Sequence, residues 1–104
     1  MLRYEIKPSL LKKLNKIQSK ENKSYLNILE KIKEIINSEN IDHYKNLKKP
    51  IQHLKRVHVN THFVLTFNYL KKENLVVFID YQHHDKAYYW FFVRNNWKLL
   101  EIKG

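Results

Sequence analysis

Residues 54–81 read LKRVHVNTHFVLTFNYLKKENLVVFIDY, a succession of strand-forming runs and short links. Leu54 to Val59 alternates, with Leu54, Arg56 and His58 on one face and Lys55, Val57 and Val59 on the other. His62 to Tyr69 and Leu75 to Tyr81 are runs rich in β-branched and aromatic residues, the composition that suits a pleated, packed surface. Asn60–Thr61 predicts a tight two-residue turn, since Asn tolerates a left-handed conformation. Leu70 to Asn74 (LKKEN) predicts a hairpin loop. Three strands joined by such short links form an antiparallel meander. The second and third are apolar on both faces, which predicts the middle of a sheet covered on each side.

Upstream, the period changes from two to nearly four. Tyr25, Ile28, Leu29, Ile32, Ile35 and Ile36 fall on one apolar stripe of a helix that fades at Asn37 to Asn40. Leu10, Leu11, Leu14 and Ile17 mark an earlier helix, with Pro8 ending the strand before it and Ser9 as its expected cap. Ser19 to Asn22 predicts the break between the two, with Ser19 capping the second. Arg3 to Lys7 predicts a first strand, and Ile41 to Pro50 reads as a polar, basic loop. The order is β-α-α-β-β-β: an α+β domain in which a helical hairpin packs on one face of an antiparallel sheet. Gln82 to Gly104 opens polar, turns aromatic and turns polar again at Arg94 to Asn96, a pattern that fits a helix, an added strand or a docking segment equally. The whole of 1–104 is read as one domain, with 89–104 as a C-terminal extension.

At 104 residues the chain suffices for one small core. Cysteine is absent, so disulfides, thiolate nucleophiles and cysteine-ligated metals are excluded, and a reducing cytoplasmic setting fits. The sole glycine is Gly104, which excludes glycine-rich phosphate loops. No apolar run reaches the ~20 residues that span a bilayer, and MLRYEIKPSL lacks the pattern of a signal peptide. The net charge of +10 draws the protein to polyanions: nucleic acid first, then an acidic protein or an anionic membrane surface. Codon bias toward Lys, Asn and Ile can account for part of that excess but not for where the charges fall.

Five of the six histidines lie between residues 53 and 84. Pairing the third meander strand beside the second brings His58, His62 and His84 toward one edge of the sheet, with Arg56 nearby and Lys48, Lys49 and Lys55 around them. That set suits phosphodiester cleavage by a 2′-hydroxyl. Histidine serves as base or acid near neutral pH, and Arg and Lys neutralise charge on the phosphorane. Phe63 and Tyr88 can stack on unpaired bases. Each residue also has a plainer use, the histidines and lysines as solvated surface and the aromatics as core. His43 sits in the long loop, which sets it apart from this group. Metal binding is the rival use of the same residues. His58 and His62 have i, i+4 spacing, and His83, His84 and Asp85 can complete a zinc shell. That spacing joins two imidazoles on a helix, however, and here it falls on strand–turn–strand without the Glu of HExxH. Neither a metal nor a small-molecule cofactor is therefore expected.

KRVHVNTHFVLTF (Lys55 to Phe67) followed by FIDYQHHDKAYY (Phe78 to Tyr89) resembles the RelE/ParE superfamily of type II toxins, above all its YafQ-type branch and archaeal RelE-like members. The likeness covers roughly residues 3 to 89. It implies a ribosome-dependent, metal-independent endoribonuclease that cuts mRNA and is silenced by a cognate antitoxin. His58 and His84 match the branch's two histidines, and Tyr88 matches its later aromatic. His62 stands where the branch has an aspartate, and Phe63 where it has a tryptophan. Arg56 and His58 stand at RelE's basic positions, whereas Val64 replaces the RelE hairpin arginine. The roles that follow are His58 and His84 as acid and base, His62 assisting, Arg56 on the phosphorane and Tyr88 on the base or phosphate. Phe63 would stack on a base, and Lys48, Lys49, Lys55 and Lys86 would hold the RNA backbone. Two other functions remain open: a ParE-like gyrase inhibitor without nuclease chemistry, and a non-catalytic RNA-binding module.

Overall fold

The computed structural model describes residues 1–47 and 52–86. Strand β1 (Arg3–Ile6) leads into helix α1 (Pro8–Lys20) and helix α2 (Asn22–Ile36), followed by strands β2 (Leu54–His58), β3 (Phe63–Leu70) and β4 (Leu75–His83). The expected α+β order is the observed one. Pro8 takes the first turn of α1, where its missing N–H costs nothing.

The caps differ from expectation. Ser9 lies inside α1, and Lys7 precedes the helix without a side-chain cap. Ser19 also lies inside α1, its hydroxyl donating to the Asn15 carbonyl at 3.3 Å. The whole interhelical break is Glu21, which ends one helix and starts the next. Its N–H reaches the Ile17 carbonyl while its carbonyl accepts the Tyr25 N–H, so one residue serves both ends.

The sheet order is β1-β4-β3-β2. β2, β3 and β4 form the expected antiparallel meander. β1 instead runs parallel to β4, with Arg3 opposite Leu75 and Ile6 opposite Phe78, so the sheet is mixed. The helical hairpin supplies the crossover that a parallel pairing requires. It returns the chain to its starting end, where the Leu2 N–H donates to the Ile36 carbonyl at 2.8 Å.

The main core lies between the hairpin and one sheet face, with Leu10, Leu14, Ile28, Ile32 and Ile35 against Leu65, Phe67, Val76 and Phe78. A register shift between Thr66 and Phe67 leaves Ile79 as an extra residue on β4. The shift moves Tyr81, two residues past the extra one, into the main core with Val76 and Phe78. Ile79 packs on the opposite face with Leu47 and Leu54. Both faces of the central strand are thereby covered, as its composition requires: Val64, Leu65, Thr66 and Phe67 are all buried.

The expected polar loop after α2 is ordered where it is described. Ile41 to His43 form a short 3-10 turn, and Ile41, Tyr44 and Leu47 are buried. The segment pairs along the outer edge of β2: the Leu47 N–H donates to the Leu54 carbonyl at 2.8 Å and the Arg56 N–H to the Lys45 carbonyl at 3.0 Å. That edge is therefore closed to another strand. Asn74 closes the β3–β4 link at φ 54°, the left-handed conformation that Asn accepts more readily than most residues. Lys13 on α1 reaches across to Asp80 on β4, Nζ to Oδ1 at 2.7 Å, and ties the hairpin to the sheet beside the site.

Candidate active site

The site forms where β2 ends, β3 begins and β4 ends. Asn60 builds the local frame. Its Oδ1 accepts the N–H groups of His62 and Phe63 at 3.0 and 2.8 Å, an Asx-type turn. Its Nδ2 donates to the Tyr81 hydroxyl at 3.3 Å. The Val59 N–H donates to the Phe63 carbonyl at 3.0 Å, so the link is longer than the expected two residues, and His62 belongs to the turn and not to β3. The side-chain bonds of Asn60 favour this wider loop. Burial holds the Tyr81 hydroxyl above the ordinary phenol range, against the opposing Asn60 hydrogen bond.

The backbone bond from His84 N–H to the His62 carbonyl, 2.8 Å, extends the β3–β4 pairing past its last strand residues. It brings His62 and His84 side by side with ring centroids 6.3 Å apart. His58 approaches His84 at 6.2 Å. His83 stacks on His84 at 4.6 Å and lies nearly parallel to His62 at 5.8 Å. Asp85 stands beside this group, with Oδ1 3.0 Å from His84 Nδ1. Residues 84–86 are helical, so the strand conformation of β4 ends at His83.

Arg56 and His58 share a strand face and line a recess of about 360 Å³ with His43, Tyr44, Lys45 and Val57. His43 thus adjoins the site, contrary to expectation. The buried Tyr44 and Leu47 draw the preceding loop against β2, and His43 follows it. Three apolar residues at three-residue spacing, Ile41, Tyr44 and Leu47, were the signal for that anchoring.

On the other side of the β4 end lies a groove of about 600 Å³, lined by Lys13, Ile17, Asn60, Phe63, His83 and Lys86, among others. Phe63 is partly exposed there, stacked on Tyr81 at 5.2 Å. Lys86 is exposed at its rim.

Lys55 departs from its expected role. It is buried, and its Nζ donates to the Tyr44 carbonyl at 3.1 Å and to Asn46 Oδ1 at 2.9 Å. An ammonium held this way fastens the loop to β2 and has no reach to an RNA backbone. Lys48, Lys49 and Tyr88 lie outside the described residues.

Among the described residues, no helix is long and apolar enough to cross a membrane. No family model matches the chain. A protein of Methanocaldococcus jannaschii bearing the name "Putative toxin RelE4" is 42% identical over 88 residues, which span 85% of this chain and 92% of that protein. Among solved structures, the isolated RelE toxin of E. coli superposes with a TM-score of 0.64 at 14% identity, over 91% of this chain and 98% of that one. A chain of the YoeB–YefM complex of Staphylococcus aureus superposes with a TM-score of 0.65 at 18% identity, over 81% of this chain and 98% of that one. The fold is that of these toxins, and by the identity and coverage of its archaeal relative the chain belongs to the RelE/ParE superfamily of toxins.

Proposed function

We propose that this protein is the toxin of a type II toxin–antitoxin pair and an endoribonuclease that cleaves mRNA on the translating ribosome in the cytoplasm. The observation that carries the reading is the approach of His58 to His84, ring centroids 6.2 Å apart, at one sheet end with Arg56 on the same strand face as His58. One imidazole takes the proton of the 2′-hydroxyl as its oxygen attacks the adjacent phosphorus. The other gives a proton to the departing 5′-oxygen, leaving a 2′,3′-cyclic phosphate and a free 5′-hydroxyl. Arg56 neutralises the phosphorane oxygens, and His62 orients the pair. Phe63 offers a ring face to a base beside the Lys86 ammonium. Lys48, Lys49 and Tyr88 complete the proposed contacts, within a single domain over 1–104 whose residues 89–104 form a C-terminal extension. Because two imidazoles already supply both proton transfers, the mechanism calls for no resident metal. A cognate antitoxin is the natural protein partner: a second solved structure of YoeB with YefM from Staphylococcus aureus is a heterotetrameric toxin–antitoxin complex.

The test is induction without antitoxin, followed by primer extension on transcripts and end-group analysis. The expected result is cleavage within coding sequence and cyclic-phosphate ends. With purified ribosomes, cleavage should persist in EDTA at magnesium levels that keep the ribosomes intact. Intact mRNA with broken DNA would replace this reading with gyrase poisoning.

A further inference from the structure

His62, His83 and His84 each offer a ring nitrogen, and the three donor atoms lie within 4.8 Å of one another. The proposed cleavage uses His84 and His62 and leaves His83 without a task. We propose that these three imidazoles form a binding site for a divalent transition-metal ion of the zinc class, and that occupancy switches the nuclease off.

The donor set fits the ion. Neutral imidazole suits Zn²⁺, Cu²⁺ and Ni²⁺ and is a poor ligand for Mg²⁺ or Ca²⁺. Three histidines with a fourth position left to water is an established zinc arrangement. Zinc–nitrogen bonds of ~2.0–2.1 Å place tetrahedral donors about 3.3 Å apart. The rings must therefore close in by about 1.5 Å from the outer limit of their present spacing. They are free to do so: His62 is exposed, and the side chains of His83 and His84 retain 35% and 38% of their accessibility. The backbone is already set, because the His84 to His62 hydrogen bond fixes the two strand ends.

Asp85 supplies the outer support that such a site requires. Its Oδ1 lies 3.0 Å from His84 Nδ1, so an Nδ1–H donated there leaves the Nε2 lone pair for the ion. His83 Nδ1 accepts the Asp85 N–H at 3.2 Å. Binding through Nε2 moves the ring proton to Nδ1, which gives up the Asp85 N–H and turns to the Asp85 carboxylate, 3.6 Å away. One carboxylate then backs two ligands, and its negative charge offsets part of the repulsion between a cation and a protein of net charge +10.

The regulatory half rests on the nuclease reading. A histidine whose lone pair is held by a metal can neither take nor give a proton, so an ion on His84 removes one member of the acid–base pair.

Two arms test the two halves separately. In the first, the full-length metal-free protein competes with a chromophoric chelator for Zn²⁺. One equivalent should bind, and His83→Gln and His62→Gln should each weaken binding at least tenfold, while His53→Gln at an exposed position elsewhere should not. Circular dichroism of each variant confirms folding. No binding by the wild type, or undiminished binding by folded His83→Gln, overturns the site. In the second arm, single-turnover cleavage on programmed ribosomes is followed with and without one equivalent of Zn²⁺. Wild-type cleavage should fall at least tenfold, and His83→Gln should be indifferent to the ion, its rate with Zn²⁺ equal to its own rate without it. Wild-type cleavage unaffected by bound zinc overturns the switch. Absence of cleavage in metal-free protein, with zinc binding intact, defeats the nuclease reading and its switch together and leaves the metal site standing.

Discussion

His58 and His84 sit at strand ends, outside the main core, and their removal should spare the fold. His58→Ala and His84→Ala should each slow the bound complex's cleavage step by roughly 10²–10⁴-fold, the range for a positioned acid or base, as measured by single-turnover kinetics. Lys55 should behave in the opposite way. Lys55→Met strips the Tyr44 carbonyl and Asn46 Oδ1 of their shared donor in a buried place. The expected cost is ~1–3 kcal/mol in urea unfolding, with the salt dependence of RNA binding unchanged. Alternation in the sequence put Lys55 and Arg56 on opposite faces of β2, and the structure agrees. The Ile41, Tyr44 and Leu47 spacing marks the loop about ten residues upstream as anchored, but does not show that its backbone and Asn46 seal the Lys55 face, which depends on tertiary pairing along β2. His84 was legible from its place after a strand run, whereas the contact of His83 with both neighbouring histidines depends on ring packing that spacing does not encode.

At the level of elements, the two helices and the meander follow directly from periods of 3.6 and 2, although Leu11 and Leu29, placed on the apolar stripes, are exposed. The one-residue break at Glu21 and the extra residue at Ile79 do not, because both are solved by tertiary packing. The phase of β4 cannot be read past Ile79 without knowing the bulge, and the places of Tyr81 and His83 depend on it. The segment between α2 and β2 carries its own check. The Tyr44 hydroxyl donates to Glu34 Oε2 at 2.9 Å, linking the loop to α2. Burial first, then the Glu34 hydrogen bond and its charge, push the Tyr44 phenol from 10.0 up to about 12. A phenol raised in the folded state contributes stability that is whole below pH 10 and lost as pH rises toward 12, since the unfolded chain gives up this proton first. Urea melts between pH 9 and 12 should show that loss in the wild type, and Tyr44→Phe should lack this component of it.

For the molecule as a whole, the +10 charge is legible at sight, and the structure shows that part of it is internal. Lys55 is buried and unavailable to a ligand, and the charge of Lys13 is balanced by Asp80. The remaining surface charge should make affinity for RNA fall linearly with salt on logarithmic axes. Lys48→Ala and Lys49→Ala should each reduce the slope by about 0.7–0.9, and Lys55→Met should leave it unchanged, as read by equilibrium binding at several salt concentrations. The parallel alignment of β1 could not be inferred from pattern, since a short strand of mixed polarity carries no mark of its direction. Its consequence is temporal. Arg3 pairs with Leu75, so the first strand to leave a ribosome must wait for β4, the last strand among the described residues. Closing so long a loop is the slow step of such a topology. The histidines of the β4 end arrive with that same last strand, so a growing chain carries neither a finished sheet nor an assembled site until most of its length has been synthesised. The toxin's histidine cluster is in this way among the last parts of the described chain to be assembled.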